Sequence, residues 1–342
     1  MMALSRRQLR VHKPDDLRMD EMALPELTGA DALIRVAACG ICGSDLGYLS
    51  KGGMRGPSDT PLSLGHEFAG VIEQVGNQVC GLHPGMRVVV NPDDNLIGGG
   101  GPEGGFSEWV LVRQARAGSN IHPIPDHLPF ELAALTEPLS VSLHGVNRAR
   151  VTPQSKVVIY GAGVIGLGIV IGLRRRGVRD IVVVDRQQER LEMARHLGAS
   201  ATINPGSEDL RATLGKLHGE SQKYGFPMVN TDIFIDAAGA GSLLQQTVEM
   251  CRSGTRIVIV AVYRQPVAID MVMVMAKEIE LTGSIAYPDD EFQEVIGMLG
   301  KGEVDTSTLI THRFPFDQAM AAFAQAKDTA SALKVMVSID EG

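Results

Sequence analysis

The sequence predicts an α/β fold with two domains, one rich in β-strands and one built on a doubly wound parallel sheet. A chain of 342 residues, 44% of them apolar, is too long for one ordinary hydrophobic core. Its first 120 residues contain mainly short strand-like runs separated by Gly, Pro, Asn and Asp. After about residue 150, strand-like and helical runs alternate, which is typical of a parallel sheet covered by helices.

The β-rich part contains four predicted strands, at 33–38, 68–75, 86–90 and 106–112. Residues 98–105 are mostly glycine, and no strand and helix bracket them. They therefore predict a surface loop rather than a phosphate-binding turn. Apolar residues recur at three- and four-residue spacing within 129–150, which predicts a helix interrupted or entered near Pro138.

The alternating part predicts a parallel sheet inserted into the β-rich domain. The predicted strands are 156–160, 181–184, 202–203, 232–236, 255–262 and 279–285, and the helices between them are 164–176, 187–197, 210–218 and 242–251. From about residue 286 the pattern changes, with helices expected at 289–301 and 317–326 and a last strand at 334–339. We therefore expect a β-rich domain from residues 1–150 and 286–342, and a sheet domain from residues 151–285.

The first strand of the alternating part leads into a glycine motif. Gly161, Gly163 and Gly166 have the spacing G-x-G-x-x-G, which lets a pyrophosphate approach the backbone and sit on the helix N-terminus. Asp185 ends the next strand, where a carboxylate accepts ribose hydroxyls and repels a 2′-phosphate, so NAD is favoured over NADP. Arg186 beside it tempers this preference, although an exposed cation after a strand is the simpler interpretation. A glycine turn alone could be merely structural; the flanking strand, helix and acid favour dinucleotide binding.

Charge and composition exclude several partners and sites. The net charge of −8 and the pI near 5.6 argue against binding to nucleic acid or an anionic membrane. No apolar run in residues 1–24 suits a signal peptide and nowhere do 18 apolar residues follow one another, so we expect a cytoplasmic protein. Four cysteines predict no disulfide framework, and Cys80 and Cys251 are expected to be buried. Cys39 and Cys42 form the single C-x-x-C, which excludes a closed four-cysteine zinc site.

Four side chains before the glycine motif are of types that bind zinc. They are Cys42, His66, Glu67 and Glu137. Each alone has an ordinary interpretation as a buried thiol, a hydrogen-bonded histidine or a solvated carboxylate. A catalytic zinc uses three such ligands and keeps one position open, so the four together favour a metal.

Several motifs in a fixed order resemble one known family. They are Cys-Gly-Ile-Cys-Gly-Ser-Asp at 39–45, Gly-His-Glu at 65–67, Gly-Met-Arg-Val at 85–88, Glu-Pro-Leu-Ser-Val at 137–141, Gly-Ala-Gly-Val-Ile-Gly at 161–166 and Thr-His-Arg-Phe-Pro at 311–315. Nearly the whole chain thus resembles the zinc-dependent medium-chain alcohol dehydrogenases, in particular the sorbitol, butanediol and threonine dehydrogenase branch. The resemblance implies a GroES-like catalytic domain, a Rossmann domain and a zinc ion in the cleft between them.

The resemblance also implies roles for individual residues. Cys42 and His66 would be zinc ligands, Glu67 a third or mobile ligand, and Glu137 a ligand bound directly or through water. Ser44 would accept the substrate proton, although a hydroxyl in a turn is the alternative. The implied cofactor contacts are Gly161, Gly163, Val164, Ile165, Gly166, Asp185, Arg186, Arg190, Val260, Val262 and Ile285.

The chain departs from its family pattern in three places. The sequence has no cysteine between Asn91 and Ser107, where many relatives hold a structural zinc, so we expect one catalytic zinc per subunit and no structural zinc. Gly47 replaces a histidine that relays protons in many relatives. Tyr48 and Tyr287 match polyol-contacting positions or are packing residues, while Ala286 replaces an arginine and cannot donate a hydrogen bond to substrate.

Together these features predict a dehydrogenase that oxidises a secondary alcohol to a ketone with NAD and zinc. Zinc would acidify the substrate hydroxyl, and the nicotinamide would accept a hydride. Ala286 favours a small alcohol, vicinal diol or α-hydroxyketone over a long polyol. The alternatives are a polyol or sugar-acid dehydrogenase and, in another class, a non-catalytic NAD-binding structural or regulatory subunit; a zinc-free quinone reductase is disfavoured by the four ligand-type residues. By resemblance, the strand at 279–285 would pair across a two-fold axis in a homodimer or homotetramer.

Overall fold

The computed structural model describes residues 5–223 and 225–339. The chain forms two compact units, one from the residues up to Glu137 together with those from Asp289 onward, and one from Pro138–Pro288. We call them the β-rich unit and the Rossmann unit. The α/β class predicted from the sequence is confirmed. Among the described residues, no helix is long and apolar enough to cross a membrane.

The first part of the β-rich unit consists mainly of strands. Its strands are β1 Ser5–Lys13, β2 Asp16–Ala23, β3 Ala32–Gly40, β4 Leu62–Ser63, β5 Glu67–Val75, β6 Arg87–Val90, β7 Trp109–Val112 and β8 Ile121–Pro123. Its helices are α1 Gly43–Lys51 and α2 Phe130–Ala133, and α3 Thr136–Ala149 continues into the Rossmann unit. Pro138 lies in the first turn of α3, where a missing backbone N–H costs little, so the helix is entered near Pro138 and not interrupted there.

The Rossmann unit alternates strands and helices. Its elements are β9 Lys156–Tyr160, α4 Val164–Arg175, β10 Asp180–Val184, α5 Gln188–His196, β11 Ala201–Ile203, α6 Leu210–His218, β12 Glu220–Lys223, β13 Phe226–Val229, β14 Ile233–Asp236, α7 Gly241–Met250, β15 Arg256–Ile259, α8 Met271–Ala276 and β16 Glu280–Gly283. Six strands form a parallel sheet in the order β11-β10-β9-β14-β15-β16. The strand order reverses between β9 and β14, and the carboxyl ends at such a point are where nucleotides bind in open α/β sheets.

The last part of the chain returns to the β-rich unit. It contributes α9 Asp289–Lys301, β17 Ile310–Pro315, α10 Ala319–Lys327 and β18 Lys334–Ser338. Strand β18 pairs with β3 so that Val337 lies opposite Cys39, and β3 pairs with β5 so that Gly40 lies opposite Glu67. The beginnings of β5 and β18 therefore meet at the carboxyl end of β3.

Buried apolar side chains form a core within each unit. Of the two cysteines expected to be buried, Cys251 is, but Cys80 is exposed. Cys80 follows a turn after β5 and lies outside the strands that enclose the core. The prediction that its small apolar side chain is buried was therefore wrong.

Candidate metal centre and cofactor site

The first candidate ligand, Cys42, stands at the N-cap of α1. Its backbone N–H donates to Asp45 Oδ2 at 2.9 Å, which closes the first turn of the helix. The other oxygen of Asp45 accepts from the N–H of Gly65 at 3.3 Å. The fully buried Asp45 carboxylate thus joins the two chain segments that carry Cys42 and His66.

The second segment depends on a glycine. Gly65 has a φ of +93°, and a Cβ there would lie 2.6 Å from the backbone N of Phe106 and 2.8 Å from Cys39 Sγ. This left-handed, crowded position aims the next side chain, His66, back towards α1. His66 Nδ1 lies 3.7 Å from Asp45 Oδ1, and its Nε2 lies 3.5 Å from Ser44 Oγ.

Glu67 begins β5 and is held in the interior by Lys334. The Lys334 ammonium donates to Glu67 Oε2 and, at 3.0 Å, to the carbonyl of Ile41. Both charged side chains are almost completely buried. Gly40 leaves the room for this carboxylate, because a Cβ there would lie 2.4 Å from Glu67 Oε2.

Cys42, His66 and Glu67 therefore form one group. Their ligand atoms all lie within 4.8 Å of one another. A tetrahedral zinc with bonds of about 2.0–2.3 Å separates its ligand atoms by roughly 3.3–3.8 Å, so small side-chain movements suffice to bind one. A thiolate, an imidazole and a carboxylate are also the chemistry that zinc accepts, so these residues fit the ion.

The electrostatics of this group favour a cation. Burial opposes protonation of His66, but the negative charges of Asp45 and Cys42 outweigh it and raise the pKa of His66 well above its usual range. Burial, aided by Glu67 and opposed by His66, raises the pKa of Glu137 to about 7. Carboxylates and a thiol thus outnumber the one buried ammonium, which is an arrangement that a divalent ion would neutralise.

The other predicted residues of the β-rich unit lie around this group. Glu137 is in the first turn of α3. Among the described residues, it is not one of those whose ligand atoms all lie within 4.8 Å of one another, but its charge interacts with those of His66 and Glu67. Ser44 is in the first turn of α1, and the half-buried Tyr48 follows one turn later. Burial raises the pKa of Tyr48. A Cβ at Gly47 would meet no atom within 4 Å, so a larger side chain would fit there.

The Rossmann unit contains the predicted glycine turn. A Cβ at Gly166 would lie 1.8 Å from the carbonyl of Gly161, so α4 and the turn approach closely. Gly161 has a φ of +92°. Gly163 is the N-cap residue of α4, and a Cβ there would meet no atom within 4 Å. Asp185 accepts from Ala162 N–H at 2.7 Å through one oxygen and from Gln187 N–H at 2.9 Å through the other. Its carboxylate is therefore fixed against the turn.

The remaining predicted cofactor and substrate residues also belong to the Rossmann unit. Val164 and Ile165 lie in the first turn of α4, Arg186 is exposed after β10, Arg190 is on α5, and Val260 follows β15. Val262 and Ile285 are 84% and 85% exposed, which is unusual for large apolar side chains. Ala286 has a φ of +50°, and Tyr287 is buried.

Three neighbours of the metal group were missed in the sequence. Asp45 lies in the Cys-Gly-Ser-Asp motif, and its capping-box spacing after Cys42 was a usable signal. Lys334 begins an apolar strand, and nothing near it in the sequence indicates a carboxylate partner 267 residues away. Asp93 is a third neighbour, since the charge of His66 acts on its carboxyl group. Burial raises the pKa of Asp93, and His66 partly opposes this rise.

A thiol, an imidazole and a carboxylate grouped in one unit, in a chain that also carries a Rossmann unit, define a zinc-dependent dehydrogenase. The family model "Zinc-binding dehydrogenase" matches residues 164–301, and "Alcohol dehydrogenase GroES-like domain" matches residues 28–126. Sorbitol dehydrogenase from Mus musculus is 32% identical over 350 residues, which cover 96% of this chain and 95% of that protein. The chain belongs to the zinc-dependent medium-chain alcohol dehydrogenase family, and it is an oxidoreductase.

Solved structures agree with this assignment. The 2R,3R-butanediol dehydrogenase from Bacillus subtilis has a TM-score of 0.86 at 27% identity, covering 98% of this chain and 100% of that chain. An alcohol dehydrogenase from Escherichia coli CFT073, complexed with NADH, has a TM-score of 0.85 at 28% identity, covering 98% and 99%. A zinc-binding dehydrogenase from Sinorhizobium meliloti 1021, bound to NADP, has a TM-score of 0.84 at 27% identity, covering 98% and 100%.

Proposed function

We propose that this protein oxidises a secondary alcohol to a ketone, using NAD and one zinc ion per subunit. The observation that carries the proposal is the group of Cys42, His66 and Glu67, whose ligand atoms lie within 4.8 Å of one another. A purely structural NAD-binding subunit would need no such buried group. Glu137, close enough to act on His66, completes the site directly or through water.

Zinc would supply Lewis acidity at the substrate oxygen, and the nicotinamide would supply the hydride acceptor. The protein holds and moves the proton. Ser44 would accept the substrate proton, and the distance of 3.5 Å between its Oγ and His66 Nε2 supports this role. Because Gly47 has no side chain to relay the proton, the proton would leave Ser44 through water, the nicotinamide ribose or another group rather than through a histidine at position 47.

The fixed carboxylate of Asp185 supports NAD over NADP. Both of its oxygens accept backbone N–H groups, which hold the negative charge against the glycine turn and leave lone pairs for ribose hydroxyls, and this charge would repel a 2′-phosphate. Arg186 is exposed beside it and offers a competing attraction for phosphate.

For the substrate, we propose a small secondary alcohol, vicinal diol or α-hydroxyketone. The names of the relatives, sorbitol dehydrogenase and 2R,3R-butanediol dehydrogenase, support the polyol and diol classes. Ala286 has no side-chain donor, which favours the shorter diol over a long polyol or sugar acid. We further propose that the protein is a cytoplasmic homodimer or homotetramer whose subunits pair through the sheet-edge strand β16. We also propose that the two domains meet in the sequence near residues 150 and 286.

The test is a substrate panel read by the absorbance of the reduced cofactor, with metal analysis of the same sample. We expect 2,3-butanediol or a similar diol to give a higher kcat/KM than sorbitol, NAD to exceed NADP, and one zinc per subunit. Ser44→Ala should retain zinc and lose most turnover, whereas Ser50→Ala, an exposed hydroxyl on the same helix, should match the wild type. Two tightly bound zinc ions, or full turnover in Ser44→Ala, would contradict the proposal.

A further inference from the structure

A buried ion pair in the β-rich unit lies outside the group of ligand-type side chains. Arg6 on β1 and Glu103 in the glycine-rich loop 98–105 are 2% and 6% exposed. Two parallel hydrogen bonds join them, Nη2 to Oε1 at 2.8 Å and Nη1 to Oε2 at 2.5 Å. Glu103 Oε2 also accepts from the N–H of Leu111 at 2.9 Å, and Arg6 Nη1 donates to the carbonyl of Trp109 at 2.6 Å. The pair therefore fastens the loop to β1 and β7.

The fastened loop contacts the backbone just before His66. Gly105 N–H donates to the carbonyl of Gly65 at 2.7 Å, and Phe106 N–H donates to that of Leu64 at 3.2 Å. Gly98 is tied into the loop through its N–H, which donates to the carbonyl of Glu103 at 2.8 Å. A Cβ at Gly98 would lie only 2.2 Å from the Gly65 carbonyl oxygen, so loop and segment are in close contact.

We propose that Glu103 is a positioning residue for the metal centre, acting through this loop on the segment that carries His66 and Glu67. The inference rests on the proposed function in taking those two side chains as metal ligands. Gly65 is in a left-handed conformation, and its peptide groups are held on one side by Asp45 Oδ1, which accepts from its N–H, and on the other by Gly105 N–H, which donates to its carbonyl. If the loop came loose, the Gly65 peptide would lose its donor and could rotate, and His66 would turn with it.

A fastening of this kind offsets the conformational entropy that the loop loses on ordering. Six of its eight residues are glycines, which lose more conformational freedom on ordering than other residues. The sequence has no cysteine between Asn91 and Ser107, so sulfur ligands cannot close it. A buried, bidentate guanidinium–carboxylate pair with two further backbone hydrogen bonds supplies a rigid closure instead.

The sharpest test compares two glycine substitutions in the full-length zinc protein. Gly98→Ala and Gly85→Ala both place a side chain at a positive φ, +65° and +86°, but a Cβ at Gly85 would meet no atom within 4 Å. Both variants therefore share the backbone strain, and only Gly98→Ala pushes on Gly65. We expect the zinc dissociation constant, measured by competition with a chromophoric chelator, to rise about tenfold or more in Gly98→Ala alone.

A second comparison breaks the ion pair directly. Glu103→Gln keeps the shape of the side chain but loses its charge, and Glu108→Gln is the control, because Glu108 pairs with the half-exposed Arg7, the next residue of β1. Glu103→Gln should show the same loss of zinc affinity, and the visible spectrum of its cobalt(II) form should change because the ligands are rearranged. Arg6→Lys, which keeps the charge and loses one of the two parallel bonds, is the milder variant should Glu103→Gln not fold.

The outcomes separate the inference from the proposed function. A folded Gly98→Ala or Glu103→Gln protein that binds zinc as the wild type does, with an unchanged cobalt spectrum, overturns the positioning role. A wild type that holds no zinc, or a His66→Ala variant that binds it equally well, overturns the proposed metal centre itself. Loss of affinity in Gly98→Ala and Glu103→Gln, with none in Gly85→Ala and Glu108→Gln, supports both.

Discussion

The ammonium of Lys334 donates to the Glu67 carboxylate inside the β-rich unit, where the two side chains are 3% and 1% exposed. A charge buried to this degree is tolerated only with a partner, because removing one member of a buried pair leaves an uncompensated charge. Glu67 has one oxygen on Lys334 and belongs to the group of candidate metal ligands. The negative charge of Glu67 would therefore be balanced by both the Lys334 ammonium and a metal ion.

We predict that Lys334→Met destabilises the metal-free protein far more than the zinc protein. Without its ammonium, Glu67 is a buried unpaired charge, which costs about 3–5 kcal/mol in the metal-free state. Zinc would then compensate the charge, so the stabilisation gained on adding zinc should be larger in the variant than in the wild type. The measurement is the thermal unfolding midpoint with and without zinc.

Lys277→Met is the matched control for this prediction. Lys277 is also buried, but it donates to the backbone carbonyls of Val248 and Glu249 in the Rossmann unit. Its replacement should lower stability without changing the gain on adding zinc. An equal gain from zinc in Lys334→Met and Lys277→Met would refute the shared neutralisation of Glu67.

We predict that Asp45→Asn lowers zinc affinity about ten- to a hundredfold. One Asp45 oxygen accepts from Cys42 N–H and the other from Gly65 N–H. In Asp45→Asn, the NH₂ group of the amide would face one of these two N–H groups, and two donors cannot form a hydrogen bond. The orientations of Cys42 and His66 would then be less fixed. Chelator competition measures the loss. Asp209→Asn, which alters the N-cap acceptor of α6, should leave zinc affinity unchanged, and an unaffected Asp45→Asn protein would disprove the role.

The six strands of the parallel sheet and helices α4 to α7 could be predicted from the sequence because each has a clear apolar pattern, whereas strands β12 and β13 were not predicted. The β1–β2 hairpin could not be predicted, because Arg6 and Gln8 are polar residues at buried positions of β1 and hide its alternation. Helix α8 has the sequence Met-Val-Met-Val-Met-Ala, which shows no helical period. Its start depends on Asp270, whose carboxylate caps Val272 and Met273 N–H groups.

The candidate site was predictable to the extent that it lies in short motifs. Cys42, His66 and Glu67 are close in sequence, and the structure brings them together. Their supporting partners come from far along the chain. Lys334 reaches Glu67 only because β18 pairs with β3 and β3 with β5, a register that no local pattern specifies.

The raised pKa of Glu137, about 7, predicts a pH dependence in the metal-free protein. Its unfolded value is near 4.3, so the folded state binds the proton more tightly. The resulting stability is fully present below about pH 4.3 and is lost as the pH rises towards 7, on the order of 3 kcal/mol. The thermal unfolding midpoint of the metal-free wild type should therefore fall relative to that of metal-free Glu137→Gln as the pH rises through this window. A constant difference between the two midpoints would contradict the prediction.

The last prediction concerns the choice of cofactor. Asp185 is fixed by the N–H groups of Ala162 and Gln187, so replacing it with serine removes both the negative charge and the brace on the glycine turn. We expect Asp185→Ser to lower kcat/KM for NAD about tenfold, since a charge-assisted hydrogen bond to ribose contributes about 1.5 kcal/mol. The loss for NADP should be smaller, because repulsion of the 2′-phosphate is removed while Arg186 remains.

Asp180→Ser tests whether this effect belongs to Asp185 and not to any acid on the strand. Asp180 lies at the opposite end of β10, where its carboxylate contacts His218 at 3.2 Å. Its replacement should change stability but leave the ratio of kcat/KM for NAD to that for NADP as in the wild type. If the ratio is also unchanged in Asp185→Ser, cofactor selection does not depend on the fixed carboxylate, and the selectivity for NAD has another origin.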